Sequence, residues 1–269
     1  MGEGKLVVFD TASGQIVANE GGYATVTGVL AVPEEGKLYA SATGTHEVVV
    51  TDLKTLHVLA RIKGAEFPDG IAYVAKHRRV FVSDESGQKE LVIDAATNAS
   101  LGVIDLGGEA GNTQYDRVSD RIWVAVQTKN EMVEIDPLSL KIVRRRPLGG
   151  SDHPHGFYLD IARRKTYISC EGNNKLLVAD MENLTVSQTF DITEGPDVLA
   201  TDKAKGRLYV ACEGGAVEVF GISPKGLTPL GKFSAPNAHT VSVDQKTHRV
   251  YIALKNIGGH PELWTLMPN

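Results

Sequence analysis

Short stretches in which apolar and polar residues alternate run along the whole chain, broken by Gly, Asp, Asn and Pro. A period of two with β-branched and aromatic residues at the apolar positions predicts β-strands. No stretch holds a convincing 3.6-residue period, so helices should be few. In one well-marked region the pattern places four strands at about 112–116, 121–126, 131–135 and 141–146.

The same pattern recurs. KLYASATG, RVFVSDES, RIWVAVQT, KTYISCEG, RLYVACEG and RVYIALKN are variants of one segment, with aromatic residues Tyr39, Phe81, Trp123, Tyr167, Tyr209 and Tyr251 at spacings of 42, 42, 44, 42 and 42. Asp116, Asp160, Asp202 and Asp244 stand seven residues before the aromatic; Asp52, Asp94, Asp136 and Asp180 stand thirteen after it. These aspartates are read as turn formers, because a carboxylate bonds backbone N–H groups two or three residues on. Four short antiparallel strands per unit of about 40 residues is the blade of a β-propeller.

The expected fold is therefore all-β, a single propeller domain over 1–269. Six blades fit best, because six inner strand pairs exist. KLVVFDTASGQIVANE matches the outer strands of a blade, and the C-terminus supplies first and second strands near 239–243 and 249–254. Joined, the two ends would close one blade and leave no open edge. Glu262–Met267 also reads as a third strand and competes for that place. Seven blades, one incomplete, is the alternative.

The repeat segments YVACEG, YISCEG and VFVSDESG, followed by hairpins of the type VVVTDLKTLHVLARI, resemble the YVTN-type (YncE-like) propeller repeats of bacterial proteins. The resemblance spans essentially the whole chain. It implies seven blades and export to the periplasm or beyond, whereas the start of this sequence shows no signal-peptide pattern. It carries no shared catalytic motif onto this sequence.

Composition narrows the function classes. A net charge of −5 and a pI near 5.9 argue against nucleic acid as a partner, and no run of about 20 apolar residues predicts a membrane span. The run Arg144–Arg146 reads as a solvated outer edge. Cys170 and Cys212 occupy equivalent strand positions and are expected to be buried free thiols, not a bridge or a nucleophile.

Candidate chemistry collects at one end of the blades. In an up-and-down blade, the connections between the second and third strands lie on the same face as those between successive blades; this face is the top. His153, His155, His239, His46 and His260 belong to it, while His77, His248 and His57 belong to turns at the bottom. Twelve residues before each aromatic stand Thr27, Asp69, Gly111, His155, Asp197 and His239; four after it stand Thr43, Glu85, Gln127, Glu171, Glu213 and Lys255. Both series should face the mouth of the central channel.

Imidazole mixed with carboxylate suits zinc, manganese or iron. The expected metal ligands are His155, His239 and Asp197, with His153 as a further candidate. Glu171 and Glu213 are the candidate catalytic carboxylates. Asp69, Glu85, Gln127 and His46 complete the channel mouth. The main functional expectation is a metal-dependent hydrolase of small esters, lactones or phosphoesters. In architecture it would be similar to the six-bladed lactonases and organophosphate hydrolases, which hold a metal in the channel. The alternatives are a non-catalytic propeller that binds a small molecule or a protein, and a lyase using the same site.

Overall fold

A computed structural model describes residues 4–268. The chain is an all-β propeller of six antiparallel blades, five of them four-stranded. The first blade is β3 (Val26–Val32), β4 (Lys37–Ala42), β5 (Glu47–Asp52) and β6 (Val58–Lys63), preceded by the hairpin β1 (Lys5–Asp10) and β2 (Gln15–Gly21). The second is β7 (Pro68–Val74), β8 (Arg79–Asp84), β9 (Lys89–Asp94) and β10 (Ser100–Asp105). The third is β11 (Ala110–Asp116), β12 (Arg121–Val126), β13 (Glu131–Asp136) and β14 (Lys141–Pro147). The fourth is β15 (Pro154–Asp160), β16 (Lys165–Cys170), β17 (Lys175–Asp180) and β18 (Val186–Asp191). The fifth is β19 (Pro196–Asp202), β20 (Arg207–Cys212), β21 (Ala216–Ser223) and β22 (Gly226–Ser234). The sixth has three strands, β23 (Ser242–Val243), β24 (Val250–Ile257) and β25 (His260–Leu266). Helix among the described residues is confined to single 3₁₀ turns, as at Thr43–Thr45 and Gln127–Lys129.

The strand pairing settles the competition between the two ends of the chain. β25 pairs with β24 and takes the third place in its blade, while β1 and β2 pair with each other and not with β24. Locality explains the outcome. β24 and β25 are joined by a tight turn through Gly258 and Gly259, both at positive φ (59° and 95°), which glycine adopts freely. A two-residue connection costs far less closure entropy than recruiting a strand from the opposite end of the chain.

Contacts divide the chain into two compact units: one runs to residue 124 and takes in 133–144, the other holds 125–132 and everything from 145 onward. In the first unit Tyr39, Val48 and Val50 pack with Val80, Val82, Leu91 and Ile93 of the next blade. The hairpin β1–β2 attaches to the first blade through Leu6, which packs with Tyr23, Leu38 and Ala40. In the second unit Tyr167, Leu176 and Val178 meet Leu208, Val210 and Phe220, and Tyr209 and Val217 meet Val250 and Ile252. The repeat aromatics Tyr39, Tyr167 and Tyr209 thus pack against the next blade.

The aspartates of the repeat form turns, as their spacing implies. Asp52 Oδ1 accepts the N–H groups of Lys54 and Thr55, and Asp94, Asp136 and Asp180 do the same in their own turns. These bonds to the charged form hold the Asp52, Asp94, Asp136 and Asp180 carboxyls below the ordinary range. The basic run is engaged as well: Arg145 pairs with Glu131 across the strands at 2.5 Å and Arg144 lies 3.7 Å from Glu134. No helix among the described residues is long and apolar enough to cross a membrane.

Candidate functional site

One backbone device brings the two series of polar positions side by side. The N–H of the residue four after the aromatic donates to the carbonyl two residues ahead of the blade's first polar position. The pairs are Thr43 to Thr25, Glu85 to Phe67, Glu171 to His153, and Glu213 to Gly195, at 2.8–3.2 Å. In these four blades the end of the second strand is thereby clipped to the start of the first, and the side chains at both places share one neighbourhood.

A second device sets the spacing between blades. A Cβ on Gly156 would stand 1.8 Å from the Asp197 carbonyl oxygen, and one on Gly28 would stand 2.1 Å from that of Asp69. Only glycine lets the next blade approach this closely. Ser169 Oγ donates to that same Asp197 oxygen at 2.8 Å, as Ser41 Oγ does to the Asp69 oxygen at 2.7 Å. Gly156 and Ser169 therefore position Asp197 beside His155. Neither carries chemistry that marks it as a site residue in the sequence, although the glycines at 28, 70 and 156 and the serines at 41, 83 and 169 recur in register with the repeat.

On this frame the second unit carries a cluster of titratable side chains. His155 and Asp197 are buried, at 6% and 5% exposure. Asp197 Oδ1 lies 3.3 Å from His155 Nε2 and its Oδ2 lies 2.8 Å from His239 Nδ1. Glu171 Oε1 stands 3.9 Å from His155 Nδ1. Two donor sets result: His155, Glu171 and Asp197, and Asp197, Glu213 and His239; within each, one ligand atom per residue lies within 4.8 Å of the others.

The electrostatics follow from these distances. The Asp197 carboxylate hydrogen-bonded to His239 raises that imidazole to about 9, against the opposing effect of burial. Burial pushes the Glu171 carboxyl up, with Asp197 and Glu213 adding repulsion and the imidazole of His155 opposing it. Cys170 and Cys212 are free and buried, and desolvation drives both thiols up to about 12. Burial thus holds both thiols in the protonated form near neutral pH.

The donor chemistry fits a divalent transition ion. Tetrahedral ligands at about 2.0–2.2 Å from zinc stand about 3.3–3.6 Å from one another; Asp197 Oδ1 and His155 Nε2 stand 3.3 Å apart, and one ligand atom per residue in each set lies within 4.8 Å of the others.

The remaining sequence candidates belong to neither donor set. His153 is not in either donor set: its Nδ1 is 2.8 Å from Asp152 Oδ1 and its side chain is half exposed. The reason is local. His153 sits at φ 49° at the turn position that Thr25 (49°) and Gly195 (61°) occupy in other blades. His46 caps a 3₁₀ turn at φ 57°, and its Nδ1 meets the Glu66 carbonyl. In the first unit Asp69 is buried and Glu85 half-buried; Gln127, in the second, is buried at the start of its 3₁₀ turn. Two of the bottom histidines join turns of neighbouring blades, His77 to Asp120 at 3.1 Å and His248 to Asp202 at 2.9 Å.

No protein-family profile and no curated protein matches the chain. Solved structures do. The fold is similar to that of a functionally unknown protein from Desulfotomaculum acetoxidans, at 12% identity and a TM-score of 0.81, over 98% of this chain and 89% of that one. It is similar to the WD40 repeats of RRP9, at 7% identity and a TM-score of 0.79, over 94% of this chain and 82% of that one. It is also similar to a chain of a mitotic checkpoint complex, at 11% identity and a TM-score of 0.81, over 98% and 82%. At these identities the likeness establishes the propeller fold alone.

Proposed function

We propose that the protein is a non-catalytic binding propeller that engages a ligand or a partner protein at the face carrying His155, Asp197 and His239. The observation that carries this reading is the likeness, over nearly the whole chain, to WD40 repeats and to a chain of a multiprotein assembly. Two features of the chain agree with it. The thiols are buried and held protonated. The buried Asp197 carboxylate has an imidazole beside each oxygen, His239 at 2.8 Å and His155 at 3.3 Å, which suits a rigid recognition surface. The resemblance of the repeats to YVTN-type propellers points the same way, since it brings no catalytic motif with it.

The two donor sets favour a second reading, a metal-dependent hydrolase of small esters, lactones or phosphoesters, with Glu171 or Glu213 relaying protons; a lyase would use the same groups. One experiment separates the hydrolase from a binding module. The full chain, loaded with zinc or manganese, is assayed against ester, lactone and phosphotriester panels beside His155→Ala and Glu171→Gln. The binding reading expects no turnover above the metal-only background and no difference between the proteins. Turnover that disappears in both variants would replace it with the hydrolase.

A further inference from the structure

We propose that His155, Glu171, Asp197, Glu213 and His239 form a two-ion centre for a divalent transition metal, with the Asp197 carboxylate bridging the two ions. The inference stands apart from the binding reading, because such a centre serves ligand capture and hydrolysis alike.

The arrangement is that of two similar half-sites sharing one group. Each half-site has an imidazole and a glutamate: His155 with Glu171, and His239 with Glu213. Asp197 belongs to both, and its two oxygens are already divided between them, Oδ1 facing His155 and Oδ2 facing His239. Glu171 and Glu213 come from the same place in successive blades, each with its N–H clipped to the preceding turn. The pseudo-symmetry of the repeat therefore supplies one carboxylate to each side of the bridge.

Charge argues in the same direction. A metal-ligating imidazole is neutral, so in the loaded site the five side chains would carry the negative charges of Glu171, Asp197 and Glu213 in a small volume, with His155 and Asp197 buried. Carboxylates so placed repel unless a cation is recruited, and two divalent ions offset all of them. The mixed nitrogen and oxygen donors select zinc, manganese or iron(II) over calcium or magnesium, which take oxygen ligands. In carboxylate-bridged pairs the ions stand about 3.5–4 Å apart, a separation one carboxylate spans. Three protein donors per ion leave positions for an outside ligand.

The test is metal content. The full chain is stripped with chelator, reloaded with zinc(II) or manganese(II), desalted and measured by elemental mass spectrometry against protein concentration. Wild type should retain two equivalents, His155→Ala and His239→Ala one each, and Asp197→Asn neither at full occupancy. The manganese form should show the exchange-coupled paramagnetic resonance of a bridged pair, and Glu213→Gln, at an exposed position, should give the uncoupled signal of one ion. Circular dichroism of each variant checks the fold, and Glu213→Gln keeps the test decisive should the buried variants unfold. One equivalent lost equally in both histidine variants would overturn the pair in favour of a single ion. No retained ion in wild type would overturn the site, leaving Asp197 hydrogen-bonded to His239 with His155 beside it, and the binding reading untouched.

Discussion

The first and fourth blades are built on the same frame and carry different chemistry. In the first, Thr27 Oγ1 lies 3.0 Å from Thr43 Oγ1 and both hydroxyls donate to the Pro68 carbonyl. In the fourth, the equivalent positions hold His155 and Glu171, 3.9 Å apart. The next blade brings a buried aspartate in each case, Asp69 or Asp197, its carbonyl held by Ser41 or Ser169 and backed by Gly28 or Gly156. The frame is a property of the repeat, and two side chains decide whether it holds a closed network of hydroxyls or a titratable cluster.

The largest expected effect separates frame from chemistry. Gly156→Ala and Gly28→Ala each force a Cβ into a backbone carbonyl and should cost about 3 kcal/mol in denaturant unfolding. Both should destabilise alike, but only Gly156→Ala should reduce the metal retained after desalting. Equal retention in the two variants would break the link between that glycine and the cluster.

Next in size is a transplant. Thr27→His with Thr43→Glu places a histidine and a glutamate beside Asp69 on an equivalent frame, and should add one equivalent of bound zinc to the wild-type content. A folded double variant with no added metal would show that the fourth blade supplies more than its side chains.

A further difference between blades lies in the core. The second residue of the third strand is Val48, Met132, Leu176 or Val217 in four blades and Glu90 in the second. Glu90 is fully buried and neither oxygen has a hydrogen-bond partner among the described residues; burial first, then Asp84, pushes its carboxyl well above 4.5. Glu90→Met should therefore stabilise the protein by about 1–3 kcal/mol near neutral pH. The sign follows from linkage. Above 4.5 the unfolded chain releases the proton that the folded chain retains, so wild type loses this contribution as pH rises from there toward the folded value. Glu90→Met should lack that slope in unfolding midpoints measured across pH; a variant no more stable than wild type would show that the carboxyl is accommodated.

The smallest effect is electrostatic. In chelator-stripped protein the His239 imidazole should titrate near 9 by NMR, and Asp197→Asn should return it toward 6.5. Because the folded value is raised, stability from this pair is present below 6.5 and lost as pH rises toward 9. A wild-type value near 6.5 would mean the 2.8 Å contact does not persist in solution.

Most of the blade and much of the cluster are legible in the amino-acid sequence. Strands expected at 112–116, 121–126, 131–135 and 141–146 fall at Ala110–Asp116, Arg121–Val126, Glu131–Asp136 and Lys141–Pro147, because a strand with one face in a core must alternate. The phase of the repeat singles out His155, Asp197, His239, Glu171 and Glu213, and the fold brings these five together. His153 joins them in sequence only by standing two residues from His155, and its left-handed turn position directs it toward Asp152 instead. Phase cannot show a dihedral angle at a position where Thr25 and Gly195 stand in other blades.

By itself the sequence determined the blade: its four strands, its turns at Asp, its aromatic core position and the series of polar residues at one end of the strands. These depend on local periodicity and on contacts that repeat at one spacing. Only the tertiary structure decided that β25 pairs with β24, and that Asp197 divides its oxygens between two histidines. Strand pairing is a competition between closure entropies, and the sharing of a carboxylate depends on how closely one blade's backbone approaches the next; neither quantity is carried by any single stretch of chain.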